Sequence, residues 1–362
     1  MKILILANHY NTLRIFRREL IQEISKMGHE IVISIPECDE ENKQILESYG
    51  SRVVFNEIDR RGMNPLKDFA LLKAYKKLIR QEKPDKVISY TIKCNIYGGL
   101  ASKHFKIPHY ANVTGLGSSF QSKNLVRTLV SFLYKISLNK SKAVFFENEG
   151  NKSVLVENKI IKNQQAHVLP GAGVNLSEFH ATPYSQSEII SFLFVGRIMK
   201  EKGVDELFEA IKRIKTERND VEFVFIGWYE ENYENLVKEM EKDGLIRFCG
   251  FQSDVKPFIE DSSCVILPSW HEGMSNTLLE SASMCRPLIT SNIHGCKEAV
   301  IDKVTGFLVA PKNPTSLYEA ISSFCNLSYE QRVDMGVKGR QHMIDNFDKN
   351  HVVKLTTDII FK

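Results

Sequence analysis

The segment CVILPSWHEGMSNTLLE, residues 264–280, gives the clearest indication of how the chain folds. It begins with the apolar run Cys264–Leu267, continues through a small polar turn and ends in a second apolar run. That order predicts a buried strand, a loop and then a helix that opens near Ser275 or Asn276. A strand followed by a helix is the repeating unit of parallel α/β sheets, in which ligands bind beyond the carboxyl ends of the strands.

Two carboxylates, Glu272 and Glu280, bracket the polar turn of this stretch. A helix that begins here would offer the unpaired N–H groups of its first turn to an anion. The stretch therefore fits part of a binding site. Taken alone, it fits a surface loop and a helix with two solvated glutamates equally well. The choice between these two interpretations depends on the other segments of the chain.

Length and composition indicate a globular protein of two domains. At 362 residues the chain is too long for one ordinary core, and 43% hydrophobic with 25% charged residues is typical of soluble proteins. No run approaches the roughly 18 to 20 apolar residues that span a bilayer. Residues 1–7 predict a first strand rather than a signal peptide. The seven scattered cysteines indicate reduced thiols in a cytosolic protein.

Charge is distributed unevenly along the chain. Residues 1–180 contain 27 lysines and arginines against 17 aspartates and glutamates, whereas the remainder contains 21 against 27. We therefore expect the two halves to contact different partners. A basic N-terminal half fits nucleic acid, anionic lipid headgroups or a phosphorylated substrate, and it fits ordinary solvated lysines as well.

Apolar runs alternate with helical patterns over the whole chain, which predicts βαβ units and parallel, doubly wound sheets of an α/β protein. The predicted strands of the first half are 3–7, 31–35, 53–55, 86–90, 109–113 and 143–146, and those of the second half are 192–195, 221–226, 246–249, 264–267 and 287–290. A polar segment, 170–188, predicts a linker between an N-terminal domain, 1–169, and a C-terminal domain, 189–340.

Three N-terminal segments carry functional hints. The first helix is predicted at 13–27, and arginines at its opening oppose the helix dipole, which indicates an anionic ligand. The glycines of 112–120 allow a ligand to come close, although a plain tight turn explains them as well. Residues 122–138 carry an apolar stripe with Lys123, Arg127 and Lys135 between; this pattern fits a helix on a membrane surface or one with its apolar face in the core.

Basic residues follow the first predicted strand of the second domain, in the segment FLFVGRIMKEKGV, residues 192–204. Arg197 can clamp phosphate oxygens with its planar fork, and Lys202 acts as a point charge. The spacing is not that of a P-loop, so it suits a diphosphate that need not be bound with magnesium. A further loop, 291–298, follows a strand and contains Gly295, which lets backbone amides approach a ligand.

Taken in order, these motifs resemble those of retaining glycosyltransferases of family 4, which have the GT-B architecture. The motif positions are Gly196 and Arg197, Lys202 and Gly203, Glu272 and Glu280 with seven residues between them, and Gly295 to Glu298. The resemblance covers nearly the whole chain and is strongest over 192–309. Segments 113–117 and 169–179 most resemble enzymes that build bacterial capsule, O-antigen or related surface glycans.

The resemblance implies two Rossmann-like domains that face each other across a cleft. The N-terminal domain would bind the acceptor and the C-terminal domain the nucleotide-sugar donor. A C-terminal helix, 341–362, would pack back on the first domain.

The resemblance also assigns roles to residues of this sequence. Arg197 and Lys202 would hold the donor diphosphate and stabilise the leaving nucleoside diphosphate, and Glu272 would bind hydroxyls of the donor sugar. Glu280 would accept both ribose hydroxyls, because one carboxylate can accept two hydrogen bonds. Gly227 and Phe251 would lie near the base. The remaining donor-binding positions are Gly196, Gly273, Met274, Ser275, Asn276, Thr277 and Leu278.

Positions in the N-terminal domain depart from the family pattern. Asn8, Arg17, Thr114 and Gly115 would lie on the acceptor or donor-sugar side. Members often carry a Gly-Gly turn where this chain has Asn8, and many carry a histidine where it has Thr114. His109, inside a predicted strand, is expected to be structural.

The resemblance implies transfer of a sugar, with retention, from a UDP-linked donor to a glycan acceptor on a polyprenyl diphosphate. We expect no cofactor and no nucleic-acid partner. We also expect no metal, because the sequence lacks the Asp-x-Asp motif. The protein is expected in the cytoplasm, peripheral on the inner face of the cell membrane. A sugar-nucleotide epimerase of the same architecture and a non-catalytic nucleotide-sugar-binding protein remain alternatives. A glycosidase pair is excluded, because eight positions ending in a helix separate Glu272 from Glu280 by about 12 Å or more.

Overall fold

The chain folds into two compact units in the computed structural model, which describes residues 1–59, 62, 64–116 and 125–362. Unit 1 comprises Met1–Ala172 and Asn350–Lys362, and unit 2 comprises Gly173–Lys349. Lys123 and the later part of the glycine-rich segment 112–120 lie outside the described residues. In the described part of the chain, no helix is both long and apolar enough to cross a membrane.

The described part of unit 1 contains a parallel sheet with the order β3-β2-β1-β4-β5-β6-β7. Its strands are β1 Lys2–Leu6, β2 Glu30–Ile35, β3 Ser51–Phe55, β4 Lys86–Tyr90, β5 His109–Val113, β6 Ala143–Phe146 and β7 Ala166–Val168. Strands β2 and β3 lie on one side of β1, and the chain then crosses over so that β4 and the later strands lie on the other side. This reversal places the carboxyl ends of β1 and β4 at a topological switch point, where such sheets bind ligands.

Helices cover both faces of this sheet, and each face has its own apolar core. The helices are α1 Tyr10–Arg14, α2 Arg18–Lys26, α3 Glu40–Glu47, α4 Pro65–Glu82, α5 Gly99–Phe105, α6 Leu125–Leu138 and α7 Glu149–Glu157. The sequence specifies the ends of α4 directly. Asn64 caps its first turn by accepting from the N–H of Leu66, Pro65 occupies its first position, and Lys83 ends it in the left-handed conformation.

Unit 2 is a second doubly wound sheet, built around one apolar core. Its strands are β8 Ile190–Val195, β9 Val221–Ile226, β10 Arg247–Phe248, β11 Cys264–Leu267, β12 Leu288–Ser291 and β13 Gly306–Val309, in the order β10-β9-β8-β11-β12-β13. Its helices are α8 Val204–Glu217, α9 Glu234–Lys242, α10 Lys256–Asp261, α11 Asn276–Ser283, α12 Pro314–Cys325 and α13 Tyr329–Asn346. The α/β class and the paired Rossmann-like sheets expected from the sequence are therefore confirmed.

Two strands and one helix differ from the sequence prediction. β7 and β13 are absent from the predicted set. β7 is only three residues long, Ala166–Val168, with a histidine at its centre, and β13 is a four-residue apolar run that the sequence prediction missed. The predicted helix 13–27 is two helices, α1 and α2. Residues 15–17 separate them; the backbone of Arg17 lies outside the helical region, and its side chain pairs with Glu147.

The predicted linker, 170–188, lies mostly within unit 2. Val174 is buried, and its N–H donates to the carbonyl of Phe347. The carbonyls of Thr182 and Pro183 accept from Arg286, whose side chain is completely buried. A polar composition suggested an exposed connection, but this one arginine satisfies the carbonyls and holds the segment in place.

The C-terminal segment returns to unit 1 later than the predicted helix 341–362. Residues 341–346 are the end of α13 in unit 2, and a separate helix, α14 Lys349–Phe361, carries the chain into unit 1. Val352 and Ile360 of α14 are buried in the unit 1 core. The carbonyl of Ile360 also accepts from Lys86 and from the Tyr110 hydroxyl.

Candidate active site

Lys202 and Glu272, which the sequence predicts as site residues, lie in contact beyond the carboxyl ends of β8 and β11. Lys202 ends a short 3₁₀ turn, Lys200–Lys202, and its Nζ forms an ion pair with Oε1 of Glu272. The hydroxyl of Ser269, which is completely buried, donates to the same oxygen at 2.8 Å. The Lys202 and Glu272 side chains are only 17% and 14% exposed. One carboxylate oxygen is thus held by two donors at the ends of two adjacent strands.

Two glycines allow the loops of this site to approach one another closely. Gly203 has φ +74°, and a Cβ there would stand 2.1 Å from the carbonyl oxygen of Pro268. Gly295 has φ +90°, and a Cβ there would stand 2.5 Å from the carbonyl oxygen of Gly273. The Gly295 carbonyl also accepts from the N–H of Ser275 at 2.9 Å. The loops after β8, β11 and β12 are therefore held together by their backbones.

The loop after β12 is fixed by Glu298. Its Oε2 accepts from the N–H of Gly295 at 2.7 Å, and its Oε1 lies 2.8 Å from Nδ1 of His294. This carboxylate therefore closes the loop onto itself, next to the backbone that contacts Gly273.

Arg197 follows β8 directly, after Gly196, at the same end of the sheet. Its guanidinium lies 3.9 Å from the carboxylate of Glu230, and the side chain is 39% exposed. At that distance and exposure the ion pair contributes little, which leaves the guanidinium able to pair with an anion.

Helix α11 begins at Asn276, as predicted, with Ser275 as its N-cap residue. The Ser275 side chain makes no capping hydrogen bond, and the first turn of α11 contains no acidic residue. The N–H groups of this turn, including those of Thr277 and Leu278, have no partner within the helix and carry partial positive charge. Met274 and Ser275 are themselves buried, which fixes the start of the helix. The arrangement fits an anion, and in particular a phosphate.

Glu280 lies one turn further along α11, and its carboxyl group is unusual. Burial raises its pKa to about 7. The positive charges of Lys349 and Lys256 lower the pKa, and the negative charge of Glu178 raises it further, but burial has the largest effect. The residue nevertheless keeps partial exposure. A carboxylate that has lost solvation in this way gains from hydroxyl groups that donate to it.

Gly227 and Phe251, the positions implied for the base, lie in the loops after β9 and β10. Gly227 has φ +151°, and a Cβ there would overlap the carbonyl oxygen of Gly196 at 1.8 Å. Phe251 is 66% exposed, and its ring contacts that of Trp228, which is 48% exposed. Trp228 is absent from the predicted site residues. The sequence feature that could have identified it is its position in the loop directly after β9 and Gly227.

The four N-terminal positions lie at the carboxyl edge of the unit 1 sheet, but Arg17 is engaged within the unit. Asn8 follows β1, and Thr114 and Gly115 follow β5; all three are partly exposed. Arg17 pairs with Glu147 at 2.8 Å and lies over the ring of Tyr90.

His109 is structural, as predicted. Its Nε2 lies 2.8 Å from the hydroxyl of Ser89, and its Nδ1 lies 2.8 Å from that of Ser141. Burial lowers its pKa to about 3, so the ring stays neutral near pH 7.

Comparison with known proteins gives relatives along most of the chain. The N,N'-diacetylbacillosaminyl-diphospho-undecaprenol alpha-1,3-N-acetylgalactosaminyltransferase of Campylobacter jejuni is 29% identical over 328 residues, 85% of each protein. The UDP-Gal:alpha-D-GlcNAc-diphosphoundecaprenol alpha-1,3-galactosyltransferase of Escherichia coli is 27% identical over 283 residues, 72% of this chain and 71% of that enzyme. A capsular polysaccharide biosynthesis glycosyltransferase of Staphylococcus aureus, CapM, is 25% identical over 78% of this chain and 80% of its own length.

Solved structures share the fold. A glycosyltransferase from Rickettsia africae has a TM-score of 0.80 at 21% identity and covers 100% of this chain and 99% of its own. HepE of Anabaena, solved with UDP and glucose, has a TM-score of 0.80 at 16% identity and covers 99% of both chains. A family model described as glycosyl transferase 4-like matches residues 2–148, and one described as glycosyl transferases group 1 matches residues 190–326. The chain therefore belongs to the glycosyltransferases of family 4, which have the GT-B fold.

Proposed function

We propose that this glycosyltransferase moves a sugar, with retention of configuration, from a UDP-linked donor to a glycan acceptor on a polyprenyl diphosphate. The product would be an intermediate of a bacterial surface polysaccharide. The contact among Lys202, Glu272 and Ser269 beside the open N-terminus of α11 carries this proposal. It joins a cation, a sugar-binding carboxylate and a phosphate-binding helix end in one place. The names of the Escherichia coli and Campylobacter jejuni relatives, which specify diphosphoundecaprenol-linked acceptors, support the acceptor class.

In this proposal the diphosphate binds between the two basic residues and the start of α11. Arg197 and Lys202 supply positive charge. The N–H groups of Thr277 and Leu278 lie in the first turn of α11, at the positive end of the helix dipole. Negative charge develops on the diphosphate as its bond to the sugar breaks. Donors that are already in place stabilise this charge without reorganisation, which lowers the barrier of the chemical step.

The donor sugar and ribose are bound by the two glutamates. Glu272, oriented by Lys202 and Ser269, accepts hydrogen bonds from sugar hydroxyls, and Glu280 accepts those of the ribose. The acceptor oxygen bonds to the anomeric carbon on the face that the diphosphate leaves, and the acceptor proton passes to a leaving phosphate oxygen. This route retains configuration and needs no enzyme nucleophile.

We propose that turnover requires neither a metal nor an organic cofactor, because Arg197 and Lys202 supply the charge that a metal would otherwise provide. Activity that is unchanged after treatment with EDTA, with Mg²⁺ and Mn²⁺ neither restoring nor raising it, is the expected result. Loss of activity on chelation, with recovery on adding one of these ions, would contradict metal independence.

We also propose that the enzyme acts in the cytoplasm, peripherally on the inner face of the cell membrane. Leu129 and Phe132 of α6 are 53% and 58% exposed, and Lys135 beside them is exposed. Apolar side chains flanked by lysine suit the headgroup region of an anionic bilayer rather than nucleic acid. The double variant L129S/F132S should lose binding to phosphatidylglycerol vesicles, whereas V337S, an exposed position of unit 2, should retain it. Equal binding by both variants would contradict this location.

The central test is a transfer assay with a panel of UDP-sugars and a polyprenyl-diphosphate-linked sugar as acceptor. We expect release of UDP that depends on the acceptor, a product whose mass has increased by one sugar, and an NMR spectrum showing the donor's anomeric configuration. Conversion of the donor into an isomer without acceptor would instead indicate an epimerase. Tight donor binding with no release of UDP would indicate a non-catalytic binding protein.

A further inference from the structure

Two segments of unit 2 contact each other residue by residue beside the candidate site. One is the 3₁₀ turn Lys200–Lys202 after β8, and the other is 270–272 in the Glu272 loop, residues 268–275, which follows β11. Because β8 and β11 are neighbours in the sheet, both segments leave the same edge side by side. The paired residues, in order along both segments, are Lys200 with Trp270, Glu201 with His271, and Lys202 with Glu272.

Trp270 connects the Glu272 loop to two lysines and to the backbone of the turn. Its N–H donates to the carbonyl of Glu201 at 2.9 Å. The Nζ of Lys200 lies 5.7 Å from the centroid of the indole ring, and the Nζ of Lys312, in the loop after β13, lies 4.2 Å from it. An indole ring attracts such cations through its π-face. The ring therefore joins the loops after β8, β11 and β13.

Glu201 holds the same loop through both its backbone and its side chain. Its carbonyl accepts from Trp270, and its Oε2 lies 3.1 Å from Nε2 of His271. Two of the three paired contacts therefore join the segments without using Lys202 or Glu272.

The third pair must separate if the donor binds as proposed. In the structure Lys202 and Glu272 pair with each other, whereas the proposed function assigns Lys202 to the diphosphate and Glu272 to the donor sugar. Once the diphosphate attracts Lys202, their ion pair holds the Glu272 loop less firmly. Misplacement of a sugar-binding group by about 1 Å costs roughly 10²-fold in rate. The loop therefore needs contacts that the donor does not disturb.

We infer that Trp270 is a positioning residue for Glu272. With Glu201 and Lys312, it holds the Glu272 loop in place while the donor takes over Lys202. This inference rests on the proposed function and adds a residue that acts through Glu272 without touching the donor. Loss of the indole ring should therefore lower sugar transfer and leave nucleotide binding, which depends on the basic residues and the start of α11, unchanged.

The test separates sugar transfer from nucleotide binding. W270A should lower kcat, measured with the UDP-sugar that is active in the panel, by roughly 10²-fold because the loop shifts. Calorimetry should give this variant the UDP affinity of the wild type. The conservative variant W270F should recover most of the lost kcat, since a phenyl ring also attracts a cation. As a matched control, F69A removes a ring on α4 whose centroid lies 4.6 Å from Nζ of Lys73, and it should change neither quantity.

A double-mutant cycle tests whether Lys312 acts through the indole ring. K312M removes the charge but keeps most of the side chain, and it should lower kcat roughly twofold to fivefold. In the W270A background the same change should have no further effect, because the ring on which the charge acts is gone. K303M is the control, since Lys303 is also exposed and has φ +61° where Lys312 has φ +58°. Should W270A fail to fold, K312M and W270F give the same information in chains that keep an aromatic ring.

The outcomes distinguish this inference from the proposed function. If W270A transfers sugar at the wild-type rate, or loses UDP affinity as much as kcat, the positioning role is wrong while the proposed transferase stands. Equal losses from K312M in the wild type and in W270A would also contradict it. If the wild type neither binds UDP nor transfers a sugar, the proposed function fails and the positioning role fails with it.

Discussion

Glu272 is the residue at which the site is most closely constrained. The ammonium group of Lys202 and the hydroxyl of Ser269 both contact its Oε1, and the side chain is mostly buried. Two donors on one oxygen fix the direction of the carboxylate before any ligand arrives. A residue held in this way is suited to binding a sugar in one orientation, because little ordering remains to be done on binding.

The variant E272Q tests this role. It keeps the size of the side chain but removes the charge, so we expect kcat/KM for the sugar donor to fall by roughly 10²-fold to 10³-fold. UDP affinity should change little, because Glu272 contacts the sugar rather than the nucleotide in our proposal. Steady-state kinetics and UDP calorimetry measure the two effects. E319Q, the same change at an exposed position of α12, is the control. Equal losses of UDP affinity and turnover would assign Glu272 to the nucleotide instead.

Glu280 predicts a pH dependence of donor binding. Its pKa of about 7 means that the carboxyl group is largely protonated at pH 6 and largely ionised at pH 8. If the ionised form accepts both ribose hydroxyls, as we propose, UDP affinity should weaken as the pH falls through about 7. In E280Q the affinity should be lower and nearly independent of pH over this range. Calorimetry across the range measures both curves, and a wild-type curve as flat as that of E280Q would contradict the assignment.

The same group affects stability with a defined sign. Because its folded-state pKa is raised above the ordinary 4.5, the folded protein keeps a proton that the unfolded chain has lost between these values. Glu280 therefore makes the fold less stable as the pH rises from about 4.5 through 7, so E280Q should raise the melting temperature above pH 7 and leave it nearly unchanged near pH 4.

Individual residue roles were only partly predictable from the sequence. Lys202 and Glu272 were named because each follows a predicted strand, and the structure brings them into contact although 70 positions separate them in the chain. Ser269 carries no motif of its own and gains its importance from a three-dimensional contact. Arg17 was expected near the ligand, but its partner Glu147 is 130 positions away and invisible to local patterns.

At the scale of elements, the site depends on loops that touch through glycine. Gly295 combines φ +90° with a space that admits no Cβ, because the carbonyl oxygen of Gly273 and the Cβ of Glu272 lie there. The loop after β12 therefore supports the loop that carries Glu272. Any side chain at this position must push the two loops apart.

The variant G295A should lower both stability and activity. The added methyl group must displace the Glu272 loop, and a shift near 1 Å costs roughly 10²-fold in rate. Gly244 offers a matched control, since it has φ +69° but nothing within 4 Å of the added Cβ. G244A should cost only the backbone strain of about 1–2 kcal/mol and leave kcat/KM unchanged. Chemical denaturation and donor kinetics measure the difference. Equal effects of the two substitutions would mean that the loop contact is unimportant.

The elements themselves followed from the sequence wherever burial was continuous. β4, β5, β6, β9 and β11 have the predicted bounds, because a buried parallel strand is predominantly apolar even where a polar residue interrupts it. β7 is a short, partly exposed segment with a histidine at its centre and gave no such run, whereas the apolar run of β13 was missed because it is only four residues long. The break between α1 and α2 was not predicted for a different reason, since no glycine or proline marks it, and Arg17 at the break pairs with Glu147 far away in the sequence.

At the scale of the whole molecule, each unit has its own sheet and core, yet unit 1 is completed by the end of the chain. α14 lies about 180 residues after the rest of unit 1 and contributes Val352 and Ile360 to the core beside β1 and β2. The family resemblance implied a returning helix, 341–362. The actual crossing, at Lys349 and Asn350, depends on where α13 ends, which no composition signal marks.

This architecture predicts that a defect in α14 loosens unit 1 selectively. Ile360 is completely buried, so I360A should remove about 2–5 kcal/mol from the stability of unit 1. Hydrogen exchange should then become faster in β1 and β2, while β8 and β11 exchange as in the wild type. K354A, at an exposed position of the same helix, should change neither. Equal acceleration in both sheets would show that the two units unfold as one, and an unchanged unit 1 would show that α14 is not required for its core.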